Sequence, residues 1–351
     1  MTEKLEVKAL AADILAAFEA AGATRVDADI LLPAETLLDL YGEDIRARAF
    51  VTSDPLRGEA MLRPDFTVPV VQRHLAGGNG AARYAYAGEV FRMQAEGSDR
   101  PAEYMQVGFE RFGGDPAEAE AEVFALFHAH LAPRGLLPVM GDIGLLRSAV
   151  QGLSTNDRRK AALLRHLWRP RRFRDLVERF RVPAPGPVSY GNADSPEIGL
   201  RTRADVLARL NALEEERREP PLPAAEADAL DALLELSGRA ADVVPRLRDI
   251  AVDLPALGAA VDRVEARLAA LATDGIDAPG LPFEASFGRT SMEYYDGFVF
   301  GFTHPGRPDL PAAATGGRYD ALTRALGGGD ASPAVGGVIR PGLLVELEGA
   351  Q

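Results

Sequence analysis

The sequence contains no cysteine. That excludes disulfides, thiol nucleophiles and thiolate metal sites. Histidine is scarce, at five residues. The nearest pair, His128 and His130, would point about 200° apart on a helix and so cannot form a two-ligand face. They read as surface or interface histidines, and neither a metal nor a cofactor is expected. No apolar run approaches the roughly 20 residues of a membrane span, so no membrane contact is expected. The opening MTEKLEVKALAADIL sets acids and lysines before a short apolar run, unlike a secretory signal, and a cytoplasmic protein is expected. A phosphate loop is missing, because TGGRYD lacks its lysine and its spacing, and SFGRTS does not bracket its serine as a nucleophile elbow does. Basic charge is in deficit: 39 Lys and Arg against 52 Asp and Glu leave a net charge of −13. Such a balance disfavours broad contact with a nucleic-acid backbone.

What is present suits a globular chain with a sizeable core, since 47% of the 351 residues are hydrophobic and 26% charged. Residues 5–21 carry apolar positions at helical spacing and stop at Gly22. ADILLPAETLL reads as a short strand halted at Pro33, then a helix. AFVTSD, GEAMLRPDFT, ARYAYAGEVFRM and AEYMQVGFERFGG are short, β-branched or aromatic, and separated by turn residues, the signature of an antiparallel sheet. PAEAEAEVFALFHAHLAPRG follows as a helix and LLPVMGDIGLL as a strand. From Arg147 to about Gly275 the composition turns to Ala, Leu and Arg, which predicts four to six helices in a separate module. LPFEASFGRTSMEYYDGFVFGFTHPG resumes strand texture, ATGGRYDALTRALGG reads as a glycine turn and a helix, and PAVGGVIRPGLLVEL closes the chain. The expected fold is α+β: an antiparallel sheet core built from residues 1–145 and 276–351, flanked by helices and split by a helical insertion at 146–275.

Several charged or amide side chains interrupt apolar strands, namely Asp65, Arg92, Glu103, Gln106 and Glu110. Each needs a partner or a ligand, because unpaired buried charge is costly. Gln106 and Glu110 differ by an even number and share one face of a strand. A polar cleft floor accounts for this, as does a set of internal salt bridges with no ligand. Acids, an amide and tyrosine hydroxyls suit a ligand carrying an amine better than a nucleotide phosphate. A basic segment between Arg158 and Arg181 holds ten Lys or Arg against two acids. It reads as a solvated helix face or as a docking surface for an acidic partner.

Taken in order, these segments resemble the catalytic core of class II aminoacyl-tRNA synthetases, and histidyl-tRNA synthetase in particular. LRPDFT resembles the Leu-Arg-Pro-Glu-Gly-Thr loop; YAGEVFRMQ with DRPAEYMQVGFERFG resembles motif 2; MEYYDGFVF resembles the histidine-specific Asp-Tyr-Tyr-x-Gly-x-Val-Phe signature. TGGRYDAL and PAVGGVIRPGLL stand at the Gly-Gly-Arg-Tyr-Asp-x-Leu signature and motif 3. The resemblance implies that Asp65, Thr67 and Gln106 hold the α-amino group of histidine and that Glu110 with Tyr295, beside Tyr294, contacts the imidazole. Asp65 is one methylene shorter than the glutamate of that family, a gap that a water can bridge.

The departures fall on the ATP side. Gln94 replaces the glutamate that follows the motif 2 arginine, Ala102 replaces a later arginine, and Thr290 replaces the catalytic arginine, with Arg289 one residue away. On a strand that shift would send Arg289 to the other face. Gly342 and Leu343 replace the Glu-Arg pair of motif 3, Arg340 lies three residues earlier, and Pro341 with Gly342 would disrupt the next helix start. Adenylation needs those cations, and the resemblance leaves Arg92 as a clamp for a carboxylate rather than for ATP. No anticodon-binding domain is expected after motif 3. This combination resembles the family of ATP phosphoribosyltransferase regulatory subunits. It implies a protein without its own catalysis that activates a short-form catalytic subunit at the first step of histidine biosynthesis, with L-histidine as feedback effector. A homodimer through AFEAAGATRVDADILLPAETLL, within a hetero-oligomer, is expected by analogy, and tRNA is not expected as a partner. A histidyl-tRNA synthetase-like enzyme and a histidine-binding module with another partner remain the alternatives.

Overall fold

A computed structural model describes every residue except 1, 42, 57, 79, 99, 185, 187–201, 290–293, 330–331 and 350–351. The chain opens with helix α1 (Thr2–Ala20), which stops where Gly22 takes a positive φ of 91°. Strands β1 (Thr24–Arg25) and β2 (Leu31–Pro33), helix α2 (Ala34–Tyr41), and strands β3 (Val51–Asp54) and β4 (Gly58–Leu62) follow. Pro33 ends the edge strand β2, where the missing N–H costs no ladder bond. Helix α3 (Thr67–Ala76) leads into the long hairpin of β5 (Ala82–Phe91) and β6 (Glu103–Phe112). Helix α4 (Pro116–Leu131) is capped by Asp115, whose side chain accepts from the amides of Ala117 and Glu118, and β7 (Leu137–Asp142) comes next.

Helices α5 (Ile143–Gly152), α6 (Asp157–Arg165), α7 (Pro170–Phe180), α8 (Arg203–Arg218) and α9 (Ala224–Glu235) then precede a three-residue strand, β8 (Ser237–Arg239). Helices α10 (Ala240–Asp253) and α11 (Gly258–Thr273) return the chain to β9 (Pro282–Glu284), β10 (Phe298–Thr303), β11 (Ala314–Arg318), helix α12 (Asp320–Leu326), β12 (Ala334–Ile339) and helix α13 (Pro341–Gly349).

Nine strands form one sheet in the order β1-β5-β6-β12-β11-β10-β7-β9-β8, antiparallel except where β1 joins β5 and β7 joins β9; β2, β4 and β3 form a small second sheet. One face of the large sheet packs on α1 and α4, with Phe18, Phe109, Phe124 and Phe127 fully buried between them. That face also buries charge. Arg267, 1% exposed on α11, donates to Glu120 at 2.6 Å and Asp142 at 3.0 Å, and Arg318 on β11 donates to the other oxygen of Glu120 at 2.5 Å. Every member has an opposite charge, as a buried network requires. Internal salt bridges are therefore real, but they lie behind the sheet.

Three expectations are corrected. The helical module does not stay separate up to 275: β8 hydrogen-bonds to β9 at the sheet edge, and α11 anchors to the core through Arg267. A single apolar cluster runs from Leu230 and Val243 to Phe298 and Val299. The Gly-Gly of ATGGR is the middle of a central strand, not a turn, because large side chains from neighbouring segments occupy the space above both glycines. Pro341 and Gly342 do not disrupt the last helix, since Pro341 is its first residue, where the absent N–H would have had no intrahelical partner.

Candidate functional site

The other face of the large sheet is floored with glycine. Register pairs Gly88 with Gln106, Tyr86 with Gly108, and Glu110 with Gly336, which in turn faces Gly317. These floor positions let bulky groups lie flat on the strands. The Tyr86 ring crosses Gly108, the Tyr295 ring lies on Gly317, and the Glu110 carboxylate rests on Gly336, where a Cβ would come within 1.6 Å of Oε2.

Glu110, 1% exposed, anchors this face. Its Oε1 accepts from the Tyr86 hydroxyl at 2.9 Å and from Thr67 at 3.3 Å, and its Oε2 accepts from the Tyr319 hydroxyl at 2.6 Å. Burial pushes its carboxyl up to about 7, with the three hydroxyls pulling the other way and the like charge of Asp65 adding to the rise. Thr67 sits at the start of α3, and Asp65 lies in the turn just before it. Burial raises the Asp65 carboxyl too, against the pull of Arg92 and of the backbone amides of Val68 and Thr67. Its Oδ1 is buried without a hydrogen-bond partner, and so is Oε1 of Gln106. Two unsatisfied acceptors on one face are an unusual cost in a folded chain.

Arg92 follows the end of β5. It donates from Nε to the Pro64 carbonyl at 2.8 Å and lies close enough to Asp65 to lower that carboxyl. Asp65 is thus an acid beside it. Glu103, expected with these residues, is on the opposite face by strand parity and pairs with Lys4 of α1 at 3.5 Å. Tyr294 and Tyr295 are adjacent in sequence yet on the same side, with ring centroids 4.2 Å apart and the Tyr294 hydroxyl donating to that of Tyr295 at 3.0 Å. Alternation does not apply to them, because β10 begins only at Phe298. Burial raises both phenols, and Asp65 adds to the effect on Tyr294.

Asp65, Thr67, Arg92, Gln106, Glu110, Tyr294 and Tyr295 therefore share one side of the sheet. Reading the sequence missed Tyr86 and left Tyr319 without a role. The signal for Tyr86 was its place in YAYAG, on the same face as Gly88 and directly across from Gly108.

The departures from the synthetase motifs have structural counterparts. Gln94 donates to the carbonyls of Arg92 at 3.4 Å and Pro101 at 3.2 Å, so it braces the hairpin loop. Arg289 is buried away from the site: it donates to the Leu167 carbonyl at 2.9 Å and lies over the Phe173 ring of α7. Burial and the neighbouring Arg174 lower its guanidinium to about 10. Thr290, Met292 and Glu293 lie outside the described residues. In the basic segment, Arg158 and Arg159 bond to Glu215 and Glu216 of α8, and Arg181 to Asp228 and Asp231 of α9.

The family model described as histidyl-tRNA synthetase matches residues 2–182 and 201–341. The chain is 31% identical to an ATP phosphoribosyltransferase regulatory subunit of Rhizobium rhizogenes, over 95% of each chain. It is 32% identical to that of Allorhizobium ampelinum, over 91% of this chain and 92% of the other. Among solved structures it resembles an ATP phosphoribosyltransferase regulatory subunit/histidyl-tRNA synthetase from Bacillus halodurans, with a TM-score of 0.72, 21% identity and coverage of 98% of this chain and 79% of that one. A histidyl-tRNA synthetase from Nostoc shares the fold with a TM-score of 0.68 at 18% identity, over 99% of this chain and 73% of that one. The fold is that of a class II synthetase core, and the chain belongs to the family of ATP phosphoribosyltransferase regulatory subunits.

Proposed function

We propose that this chain is a regulatory subunit without catalysis of its own, which senses L-histidine, activates a short-form ATP phosphoribosyltransferase catalytic subunit and conveys feedback inhibition to it. The observation that carries the reading is the pair of buried acceptors, Asp65 Oδ1 and Gln106 Oε1, that lack donors beside a carboxylate already held by three hydroxyls. An ammonium supplies the missing donors. Glu110, poised near neutrality, can accept from an imidazole N–H or donate to an imidazole nitrogen. Gln106 and Glu110 lie on the same face of β6, four residues apart, so one ligand on that face meets an amide acceptor and a carboxylate in line.

Loss of catalysis is supported by Arg289 facing Leu167 and by Gln94 bracing its own loop. Histidine would act on the assembly only through different affinities for its active and inactive states. A homodimer within that assembly is supported by Ile30, Leu31 and Val51, exposed apolar side chains on and beside the small sheet. The test is calorimetric titration with L-histidine and with ATP. Histidine binding without histidyl-adenylate formation supports the reading; tight ATP binding with pyrophosphate exchange points instead to a synthetase-like enzyme.

A further inference from the structure

Arg340, at the end of β12, projects onto the glycine-floored face. Its Nη1 donates to the Ala312 carbonyl at 2.7 Å and its Nη2 to the Thr315 hydroxyl at 3.2 Å. Thr315 pairs with Val338, which faces Gly108 on β6, so the guanidinium is fixed on the Gln106–Glu110 side of the sheet. Two of its five N–H donors are used there, and three remain. Among the described residues no carboxylate lies within ion-pair distance of it, whereas Arg267 and Arg318 each have two acids. Its charged neighbour is another cation, Arg92, and around it stand the phenols of Tyr104, Tyr295 and Tyr294. Burial first, and then the like charge of Arg92, lower its guanidinium. An arginine held by backbone and hydroxyl, half-buried and near a second arginine, is a cation whose anion is not supplied by the described residues.

We propose that Arg340, with Arg92 beside it, is the carboxylate-binding residue of this site and makes it selective for a free α-amino acid over analogues in which the carboxyl group is reduced or amidated. The inference rests on the histidine reading and adds a residue and a selectivity to it. The same cation could meet a phosphate, but three features favour a carboxylate. Two cations without a glycine-rich phosphate loop are few for a triphosphate. Gln106, with its unsatisfied acceptor, is two residues along the same strand face from Tyr104, a neighbour of Arg340. Ammonium and carboxylate ends of one ligand thus meet acceptors and donors side by side. The planar guanidinium also matches a carboxylate in bidentate geometry. Arg340 takes over the anion-facing role that Arg289, turned to Leu167, does not fill.

The test is calorimetric titration of the full chain with L-histidine, with L-histidinol, which replaces the carboxylate by a hydroxymethyl group, and with ATP. The unaltered chain should bind histidine at least about tenfold more tightly than histidinol, the range expected for a charge-assisted hydrogen bond. Arg340→Met should remove that preference while leaving histidinol affinity nearly unchanged, and Arg340→Lys should restore part of it. Equal affinity for histidine and histidinol in the unaltered chain overturns the inference without any variant. So does a preference that survives in Arg340→Met, or ATP binding that Arg340→Met alone abolishes. If neither amino compound binds the unaltered chain, the histidine reading falls and takes this inference with it.

Discussion

The Tyr319 hydroxyl donates to Glu110 Oε2 at 2.6 Å, tying the residue after β11 to a carboxylate on β6 across the intervening strand β12. Two sequence motifs far apart in the chain meet in this bond. Tyr319→Phe keeps the ring and removes the donor, leaving one carboxylate oxygen without its hydroxyl partner. A loss of about 1–3 kcal/mol in urea unfolding is expected, and histidine affinity should fall as the carboxylate loses its fixed orientation.

Glu110 also predicts a pH dependence. Its folded value of about 7 lies above the ordinary 4.5, so between those pH values the folded chain holds the proton more tightly than the unfolded chain. Its contribution to stability is therefore present below pH 4.5 and is lost as pH rises through 7, by roughly 3 kcal/mol in all. Glu110→Gln cannot ionise. Denaturant titrations at pH 5 and pH 7.5 should show a smaller difference for the variant than for the unaltered chain.

Gly336 should tolerate no side chain. An added Cβ would sit 1.6 Å from Glu110 Oε2 and 2.7 Å from the Phe109 carbonyl, so either the acid or the strand must move. Gly336→Ala is expected to cost about 1–3 kcal/mol as overpacking does and to abolish histidine binding. Gly342→Ala, where the same addition meets nothing within 4 Å, is the control and should leave both properties intact.

The charged network behind the sheet should behave differently from the site in front. Arg267→Met leaves Glu120 and Asp142 buried with one cation fewer. The expected loss is about 3–5 kcal/mol, read by thermal or chemical unfolding. Histidine affinity of the folded protein should stay unchanged, because Arg267 contacts none of the residues on the glycine floor.

Much of this was legible because strands announce themselves by alternation. The even spacing of Gln106 and Glu110 placed them correctly on one face, and Pro33 and Gly22 marked real element ends. Other features were hidden for physical reasons. Gly316 and Gly317 look like a turn in isolation, and only the rings of Phe300 and Tyr295 lying against them explain a glycine pair in a central strand. Strand β8 has three residues and borrows its existence from β9, so no local pattern reveals it. Glu103 was grouped with Gln106 and Glu110 although its odd number sets it on the opposite face of the strand. Tyr319 and Arg340 reach this face through the register of β11 and β12 with β6, more than 200 residues away, which a linear reading does not supply.

The central claim is a sensor that regulates a partner. Its most direct measurement is phosphoribosyl transfer by a short-form catalytic subunit with and without this chain, each at rising L-histidine. The account predicts that the chain raises activity, that histidine then inhibits, and that Asp65→Asn, which removes the ammonium-facing charge, keeps activation while shifting inhibition to higher histidine. A chain that leaves the catalytic subunit's activity unchanged, or one that forms histidyl-adenylate from histidine and ATP on its own, would contradict it.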